Sequence, residues 1–292
     1  MPGSEGIMTE IILEARNLQY CYPGGVFGLA GVDLVVNRGR KLALLGANGA
    51  GKTTLLLHLN GTLKPDRGEI RLHGVTAQYT RAGMLSWRQQ VGIVFQNPED
   101  QLFAGSVYQD ISFGPLNLGC AEAEVRMRVE AALVALQITD LRDRPTHMLS
   151  FGQKKRVAIA GAIAMHPAIL IMDEPTAGLD PEGAAQLMVT LDELHASGTT
   201  IVLATHDIDM AYAWVDDVAI MCGGQIVSEG VPNVVLGDKD VVERCHLRMP
   251  LILETARYLI HAGIIKHEDM RTIPRSREEL FALLTRMPFA YR

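Results

Sequence analysis

The sequence predicts an α/β protein with a largely parallel sheet, followed by a small helical C-terminal domain. Strand patterns and helix patterns alternate through the middle of the chain, as they do around a parallel sheet. The sequence pattern changes near residues 232–240, and beyond this point it is typical of helices. We therefore expect one large domain over residues 10–236 and a helical domain over residues 237–292. With 292 residues, 48% of them hydrophobic, the chain can bury a core of that size.

The first hundred residues are expected to form mainly strands, because short apolar runs there end at turn residues. Pro23-Gly24-Gly25 provides the first turn, and Asn60-Gly61 ends the first helix, which is expected over Thr54–Leu59. The predicted strands are Ile11–Asn17, Val32–Val36, Lys41–Leu45, Ile70–Leu72 and Val91–Phe95.

The rest of the chain alternates between helix and strand until the C-terminal region. The predicted strands are Ala168–Met172, Thr199–Ala204, Asp217–Met221 and Gln225–Glu229. The predicted helices are Ala121–Gln137, Gly152–Met165, Pro181–Ala196 and Ile208–Trp214, then Val241–Gly263 and Arg277–Met287 in the C-terminal region, with Pro274 between these two.

Composition narrows the class of protein. The charged fraction is 21%, ordinary for a folded domain, and the net charge of −6 gives no electrostatic reason to expect a nucleic acid partner. The four cysteines form no CxxC pair, and we expect them to be reduced. No signal peptide pattern is expected in Met1–Glu10.

The most apolar stretch is Val157–Met172, interrupted by His166-Pro167. It is shorter than the roughly 20 residues that span a bilayer. It is interpreted as a buried helix followed by a buried strand, so any membrane association should come through a partner.

A glycine-rich loop lies between a predicted strand and a predicted helix. Residues 46–53, Gly-Ala-Asn-Gly-Ala-Gly-Lys-Thr, match the pattern G-x-x-x-x-G-K-[ST]. Such a loop wraps a phosphate with backbone N–H groups, and the following helix adds about half a positive charge. Lys52 would reach the β- and γ-phosphates, and the Thr53 hydroxyl would bind Mg²⁺. An ordinary glycine-rich turn is the alternative, which the strand and helix on either side disfavour.

Two carboxylates end the predicted strand Ala168–Met172. Asp173 suits the coordination shell of Mg²⁺, and Glu174 suits a base that orients or activates the attacking water. A pair of solvated loop carboxylates is the structural alternative, and the glycine-rich loop in the same chain makes it less favourable.

The segment Leu149-Ser150-Phe151-Gly152-Gln153 precedes the same strand. Ser150 has the position of a helix N-cap, and the N-terminus of that helix could also face an anion. The residues alone do not choose between a cap and a contact to ATP.

The order of these motifs resembles the ABC ATPase family over residues from about 10 to 230. The glycine loop is followed by Gln96, LSFGQ, the Asp173-Glu174 pair, Ala177-Gly178-Leu179-Asp180 and His206. The resemblance implies a P-loop NTPase fold with a RecA-like core, an antiparallel β subdomain and a helical subdomain. It also implies that the chain hydrolyses ATP with Mg²⁺.

The family pattern assigns roles to individual residues. It implies that Gln96 touches Mg²⁺ or water and senses a membrane partner, that His206 contacts the γ-phosphate, and that Asp180 communicates between sites. It implies that Tyr22 stacks on adenine, with Tyr20 as the alternative. The implied catalytic residues are Glu174, His206, Gln96 and Lys52. The implied Mg²⁺ ligands are Thr53, Gln96 and Asp173. The implied ATP-binding residues are Tyr22, Gly46, Asn48, Gly49, Ala50, Gly51, Lys52, Thr53, Thr54, Gln96, Ser150, Gly152, Gln153, Asp180 and His206.

The family also implies a head-to-tail homodimer, in which Ser150 and Gly152 of one copy close over ATP on the glycine loop of the other. Phe151 stands where the family usually has the first glycine of LSGGQ. Because Ser150 and Gly152 are kept, we expect the site to remain functional.

Two further segments resemble the ATPases of energy-coupling-factor importers, which carry vitamins and transition-metal ions. They are residues 96–103 and residues 110–119. The resemblance implies a cobalt importer, with nickel and vitamins as alternatives. Its partners would be a membrane scaffold subunit and a substrate-specific membrane subunit on the cell membrane, with the chain on the cytoplasmic face. Glu99, Asp100 and Asp110 are candidate contacts for arginines of the scaffold.

The nine histidines show no metal-ligand spacing, so the cargo ion is expected to be recognised by another subunit. By resemblance the C-terminal domain is expected to strengthen the dimer; binding a regulator or capping the ATPase domain are the alternatives.

Two other functions are the alternatives to an energy-coupling-factor importer. One is a soluble ABC ATPase acting on DNA or ribosomes, and the other is an exporter or polar-solute importer ATPase.

Overall fold

A computed structural model describes residues 10–264 and 273–285. Within these residues the strands form two sheets, one of four strands and one of six. The first sheet has the order β2-β1-β4-β5 and its pairs are antiparallel. Its strands are β1 (Ile11–Tyr22), β2 (Val26–Asn37), β4 (Arg67–Leu72) and β5 (Val75–Thr76).

The second sheet has the order β10-β9-β3-β8-β7-β6 and is parallel except for the edge pair β10–β9. Its strands are β3 (Lys41–Leu45), β6 (Val91–Val94), β7 (Ile169–Asp173), β8 (Thr200–Ala204), β9 (Asp217–Cys222) and β10 (Gln225–Gly230). The predicted α/β class with a largely parallel sheet is confirmed.

Helices cover the parallel sheet and form the C-terminal region. In chain order they are α1 (Lys52–Leu59), α2 (Arg81–Gln90), α3 (Val107–Asn117), α4 (Glu122–Ala135), α5 (Phe151–Ile163), α6 (Pro181–Ala196), α7 (Ile208–Trp214), α8 (Pro232–Val235), α9 (Lys239–Arg244), α10 (Leu251–His261) and α11 (Arg277–Thr285). Among the described residues, every helix is too short or too polar to cross a bilayer.

The central strands are buried on both faces, which explains why they are continuous apolar runs. Leu42 and Leu44 of β3 face a core shared with α1 and the antiparallel sheet, whereas Ala43 and Leu45 face a core shared with α3, α4 and α5. Successive residues point to opposite faces because the side-chain period of a strand is two. The stretch Val157–Met172 is a buried helix followed by a buried strand, as predicted.

The first two strands are longer than predicted. β1 and β2 each have 12 residues and pair along their length around the turn at Pro23-Gly24-Gly25. Tyr20 and Tyr22 are therefore strand residues, held in register with β2 rather than on a loop.

The predicted helix Val241–Gly263 was wrong as one element, because the chain breaks into α9 and α10. Pro250 is the N-cap of α10, and a proline inside a helix would lack an N–H donor and clash with the preceding turn. The C-terminal helices pack on the core of the larger domain. Leu236, before the predicted boundary at residue 237, and Leu253, beyond it, belong to the same buried cluster. The expectations for Met1–Thr9, and for the helix end at residues 286–287, lie outside the described residues.

Candidate functional site

The carboxyl ends of the parallel strands bring most of the predicted residues to one edge of the sheet. β3 leads into the glycine loop, β6 into Gln96, β7 into Glu174 and β8 into His206. Ligands of open parallel sheets bind at this edge, in the crevice outside the strand ends.

The glycine loop has a conformation that side chains would obstruct. Gly49 and Gly51 have φ values of 80° and 103°, in the left-handed region that favours glycine. A Cβ atom on Gly51 would lie 2.7 Å from the carbonyl oxygen of Gly28. Gly51 is also the N-cap of α1 and supplies no side-chain cap, so the first N–H groups of α1 point out of the helix end without a side-chain acceptor.

The ammonium of Lys52 folds back into the loop. Its Nζ donates to the carbonyl oxygens of Gly46 at 2.6 Å and Ala47 at 3.2 Å. The residue is buried, and burial lowers the pKa of this amine while the nearby carboxylates of Glu174 and Asp173 oppose the shift. The positive charge therefore lies within the loop, where the phosphate of a nucleotide would lie.

Thr53 and Asp173 present neighbouring oxygens. The Thr53 hydroxyl donates to Oδ2 of Asp173 at 2.6 Å, which joins the start of α1 to the end of β7. Burial raises the pKa of the Asp173 carboxyl, and the bond from Thr53 opposes that rise. Hydroxyl and carboxylate oxygens are the ligands that Mg²⁺ prefers, so this pair fits the ion.

Glu174 is held in place by its backbone and by two side-chain contacts. Its φ of 47° is unusual for a residue with a side chain, and such a conformation costs about 1–3 kcal/mol. Its N–H donates to the Ala204 carbonyl at 2.9 Å. Its carboxylate accepts a hydrogen bond from the Thr205 hydroxyl at 3.3 Å and lies 2.9 Å from Nδ1 of His206.

The carboxylate of Glu174 is buried, whereas the His206 ring is 72% exposed. The pair therefore combines a fixed acceptor with a ring that can reach outward. The sequence predicted both residues but not the Thr205 contact, because a threonine after a strand has no distinctive pattern.

Tyr22 lies beside the start of α1. Its hydroxyl is 3.0 Å from the Thr54 hydroxyl, and its ring meets Tyr20 edge-on at 5.0 Å. Tyr20 also packs edge-on against His58, which is fully buried. Both tyrosines therefore lie against α1: Tyr22 contacts Thr54 near the start of this helix, and Tyr20 packs on His58 one turn further on.

The LSFGQ segment has the local structure of a helix start. Ser150 caps α5 by accepting from the Gln153 N–H at 3.3 Å, and the Gln153 side chain accepts from the Ser150 N–H at 3.0 Å. This reciprocal pair is a capping box. The interpretation of Ser150 as an N-cap is confirmed, and the residue is exposed.

Phe151 uses the space left by a glycine of its own chain. A Cβ atom on Gly178 would collide with the Phe151 ring. Asp180, two residues further on, caps α6 by accepting from the Gly183 N–H at 2.7 Å. Ser150, Gly152 and Asp180 line a cavity of about 350 Å³ whose lining residues are all drawn from the segments 150–156 and 178–183. This group therefore forms a surface of its own, apart from the glycine loop.

Lys155 was not predicted from the sequence. It is fully buried on α5, and its Nζ lies 3.0 Å from the carbonyl oxygens of both Phe95 and Gln96 and 3.2 Å from that of Asp173. The Gln96 side chain itself is exposed at the strand edge. Lysine is a common surface residue, so its position after LSFGQ gave no signal of burial.

The acidic residues after Gln96 differ in their accessibility. Glu99 and Asp100 are exposed, and Glu99 pairs with Lys154 at 2.5 Å. Asp110 is buried and accepts from the N–H groups of Phe103 and Ala104. The expectation that Asp110 offers its carboxylate to a partner is therefore wrong, because the carboxylate already satisfies this turn.

A groove of about 500 Å³ lies beside these residues. Its walls include Gln89, Gln101, Phe103, Phe113 and Met165. The rings of Phe103 and Phe113 meet edge-on at 4.6 Å and both are about half exposed or more. The groove thus presents apolar surface next to two exposed carboxylates.

The described part of the chain contains no group of three or more His, Cys, Asp or Glu side chains that could hold a metal ion. A magnesium site built from Thr53 and Asp173 is compatible with this, since Mg²⁺ commonly takes one or two protein ligands and completes its shell with phosphates and water. The four cysteines are free thiols.

Comparison with known proteins gives a consistent result. The ABC transporter family model matches residues 29–177. The cobalt import ATP-binding protein CbiO of Rhodobacter capsulatus is 51% identical over 271 residues, which cover 93% of this chain and 96% of that protein. The energy-coupling factor transporter ATP-binding protein EcfA of Methanosphaera stadtmanae is 46% identical over 82% of this chain and 87% of its own length.

A solved structure agrees with these sequence relatives. The cbiO1 protein of Clostridium perfringens, described as part of the ABC transporter complex cbiONQ, superposes with a TM-score of 0.71. It is 45% identical and the match covers 85% of this chain and 99% of that one.

Proposed function

Because this chain belongs to the ABC transporter family of ATP-binding, ATP-hydrolysing proteins, we propose that it drives an energy-coupling-factor importer whose cargo is the cobalt ion. The observation that carries the proposal is the 51% identity to a cobalt import protein along nearly the whole of both chains. The similarity to EcfA favours a second candidate, an importer of the same class for nickel or a vitamin.

ATP would bind with its phosphates in the glycine loop. The N–H groups at the start of α1 and the ammonium of Lys52 would donate to phosphate oxygens in place of the present contacts to Gly46 and Ala47. Adenine would stack on Tyr22, which lies against Thr54 at the same end of α1. The charge of Lys52 would be compensated from both sides, by the phosphates and by Asp173 and Glu174.

Thr53, Asp173 and Gln96 would hold Mg²⁺. Their oxygens are of the type the ion prefers, and Thr53 and Asp173 already lie within hydrogen-bond distance of each other. Bound there, the ion would neutralise charge on the β- and γ-phosphates.

Hydrolysis would depend on Glu174 and His206. The carboxylate of Glu174 would accept a proton from water as the water attacks the γ-phosphate. The two contacts that fix its oxygens, to Thr205 and to His206, keep the carboxylate aimed at one place. His206 would donate to the γ-phosphate from its exposed ring. Positioning and charge stabilisation supply most of the catalysis in such reactions.

A second copy of the chain would complete each site. Ser150, Gly152 and Asp180 lie together on a surface separate from their own glycine loop. A head-to-tail homodimer would place this surface over the glycine loop of the partner. The hydroxyl of Ser150 and the N-terminus of α5 would then face the γ-phosphate.

The groove beside Gln96 would receive the membrane scaffold subunit. Its exposed phenylalanines offer apolar area, and Glu99 and Asp100 offer negative charge for arginines. The substrate-specific membrane subunit would join through the scaffold. The chain would then lie on the cytoplasmic face of the cell membrane, bound peripherally through these subunits.

Reversing two charges beside the groove is expected to weaken coupling to the membrane subunits. In the complex, Glu99→Lys with Asp100→Lys should reduce the stimulation of ATPase activity by the scaffold about five- to tenfold, because two attractive contacts become repulsive. The ATPase of the isolated chain is the reference, since Glu99 also pairs with Lys154. Asp110 is left unchanged because it holds the turn at Phe103.

The matched control reverses two exposed acids elsewhere, Glu122→Lys with Asp140→Lys. Stimulation equal to that of the control would remove these acids from the docking surface.

Uptake by the reconstituted complex tests the proposal as a whole. The chain is purified in detergent together with its membrane subunits and placed in liposomes, and uptake of Co²⁺, Ni²⁺ and vitamins is compared with and without ATP. We expect ATP-dependent uptake of Co²⁺ that a Glu174→Gln complex does not support. ATP-driven uptake of Ni²⁺ or a vitamin, without uptake of Co²⁺, would replace cobalt as the proposed cargo. Failure to co-purify with membrane subunits would favour a non-transport ABC ATPase.

A further inference from the structure

Lys155 is a charged side chain buried in the middle of the molecule. Its relative exposure is 0%. Its ammonium lies within hydrogen-bond distance of three carbonyl oxygens, all of which belong to the backbone. An ammonium has three N–H donors, so three acceptors use all of them. A buried charge is costly unless it is hydrogen-bonded and has opposite charge nearby.

The three carbonyls belong to the two loops that carry the chemistry. Those of Phe95 and Gln96 follow β6, and that of Asp173 ends β7, the neighbouring parallel strand. The carboxylates of Asp173 and Glu174 attract the ammonium and oppose the effect of burial, which lowers the pKa of Lys155 to about 8. Lys155 thus hydrogen-bonds both loops, and none of its three hydrogen bonds goes to the glycine loop.

The backbone of Lys155 belongs to a third element. It lies on α5, five residues after Ser150, which caps that helix. A second contact follows the same route, because Gln101 accepts from the Phe95 N–H at 3.1 Å and donates to the Ala158 carbonyl of α5 at 3.2 Å. The helix that begins at LSFGQ is therefore tied twice to the loop that carries Gln96.

We propose that Lys155 is a positioning residue that couples α5 to the Gln96 loop and to the Asp173-Glu174 pair. Hydrogen bonds of 3.0 Å weaken greatly when stretched by about 0.5 Å or more. A shift of α5 must therefore either move both loops with it or break hydrogen bonds of a buried ammonium, which is costly. The elements then move as one unit. This inference rests on the proposed roles of Gln96, Asp173 and Glu174.

The test removes the three donors and keeps an unbranched side chain of nearly the same length. For Lys155→Met we expect kcat for ATP to fall about tenfold to 10²-fold, as small misplacements of catalytic groups do, with Kd for ATP within about threefold of the unchanged protein. The stimulation of ATPase activity by the membrane subunits should fall as well. Lys155→Gln keeps two donors and should retain more of kcat than Lys155→Met.

Arg128→Met is the matched control. Arg128 also donates to backbone carbonyls of the α5 region, those of Ala164 and Met165, but at the far end of that helix. It should lower stability without separating kcat from Kd. If Lys155→Met is recovered unfolded, Lys155→Gln carries the same comparison.

Two results would overturn the inference. One is a kcat for Lys155→Met, or for Lys155→Gln where that variant carries the test, equal to that of Arg128→Met. The other is a loss of ATP affinity as large as the loss of kcat. Glu174→Gln in the same assay separates this inference from the proposed function: wild-type turnover in Glu174→Gln would refute the assigned catalytic site, whatever Lys155 does.

Discussion

Replacing Glu174 with glutamine is expected to lower the turnover of ATP by a factor of about 10² or more while leaving ATP binding nearly unchanged. Glutamine has almost the same shape and can still accept from the Thr205 hydroxyl, so the loop should keep its conformation. It cannot take a proton from the attacking water. Steady-state hydrolysis gives kcat, and binding of a fluorescent ATP analogue gives Kd.

Glu193→Gln is the matched control, since Glu193 is an exposed glutamate on α6. It should hydrolyse ATP at the wild-type rate. Wild-type turnover in Glu174→Gln would exclude Glu174 from the role of base, and a parallel loss of ATP binding would mean that the loop itself had changed.

Replacing Lys52 with alanine is expected to weaken ATP binding itself. Charge-assisted hydrogen bonds contribute about 1.5–3 kcal/mol each, so the loss should raise Kd by about ten- to 10²-fold or more. The effect has a second source. Asp173 and Glu174 lie near the ammonium and would face the phosphates without its positive charge. Titration calorimetry with ATP and Mg²⁺ measures the change.

Lys239→Ala removes an exposed lysine on α9, with a side chain that is 75% exposed, and is expected to leave Kd unchanged. Lys52→Met keeps the volume of the buried stem and should bind as weakly as Lys52→Ala, which separates lost charge from lost packing. An unaltered Kd in both Lys52 variants would place the phosphates elsewhere.

The parallel sheet was the part of the fold that the sequence predicted best. The strands β3, β7 and β8 are continuous apolar runs because helices or the other sheet cover both faces. Two helices were predicted with the bounds observed, Pro181–Ala196 and Ile208–Trp214. In each, an aspartate directly before the first helical residue is the N-cap, Asp180 or Asp207.

The helices α2 and α3 were missed although both have a cap. Thr80 and Ser106 accept from backbone N–H groups three residues on, but each helix contains residues that lower helix propensity, Gly83 in α2 and Pro115 in α3. α2 packs into the core beside α1 and the antiparallel sheet, and α3 packs on α4 and α5. Such packing is not visible in local composition. The predicted helix Val241–Gly263 ran through Pro250, although a proline there favours the break that the structure shows between α9 and α10.

Most of the site could be predicted because motif residues follow strands at one edge of the sheet. The supporting contacts could not. Lys155 and Asp110 are of residue types that usually lie on the surface. Their burial depends on carbonyl and N–H groups that other segments of the chain bring close. The Phe151 ring occupies the space beside Gly178, about 27 residues away, which no local pattern indicates.

The shared ATP site is tested most directly by the association state of Glu174→Gln. In sedimentation with ATP and Mg²⁺, this slow variant should form a larger fraction of dimer than the nucleotide-free sample at the same concentration. Ser150→Glu in the same background should prevent the dimer, because a second negative charge would face the γ-phosphate. A Glu174→Gln chain that remains monomeric under saturating ATP, or a dimer that Ser150→Glu leaves intact, would contradict a site completed by a second copy.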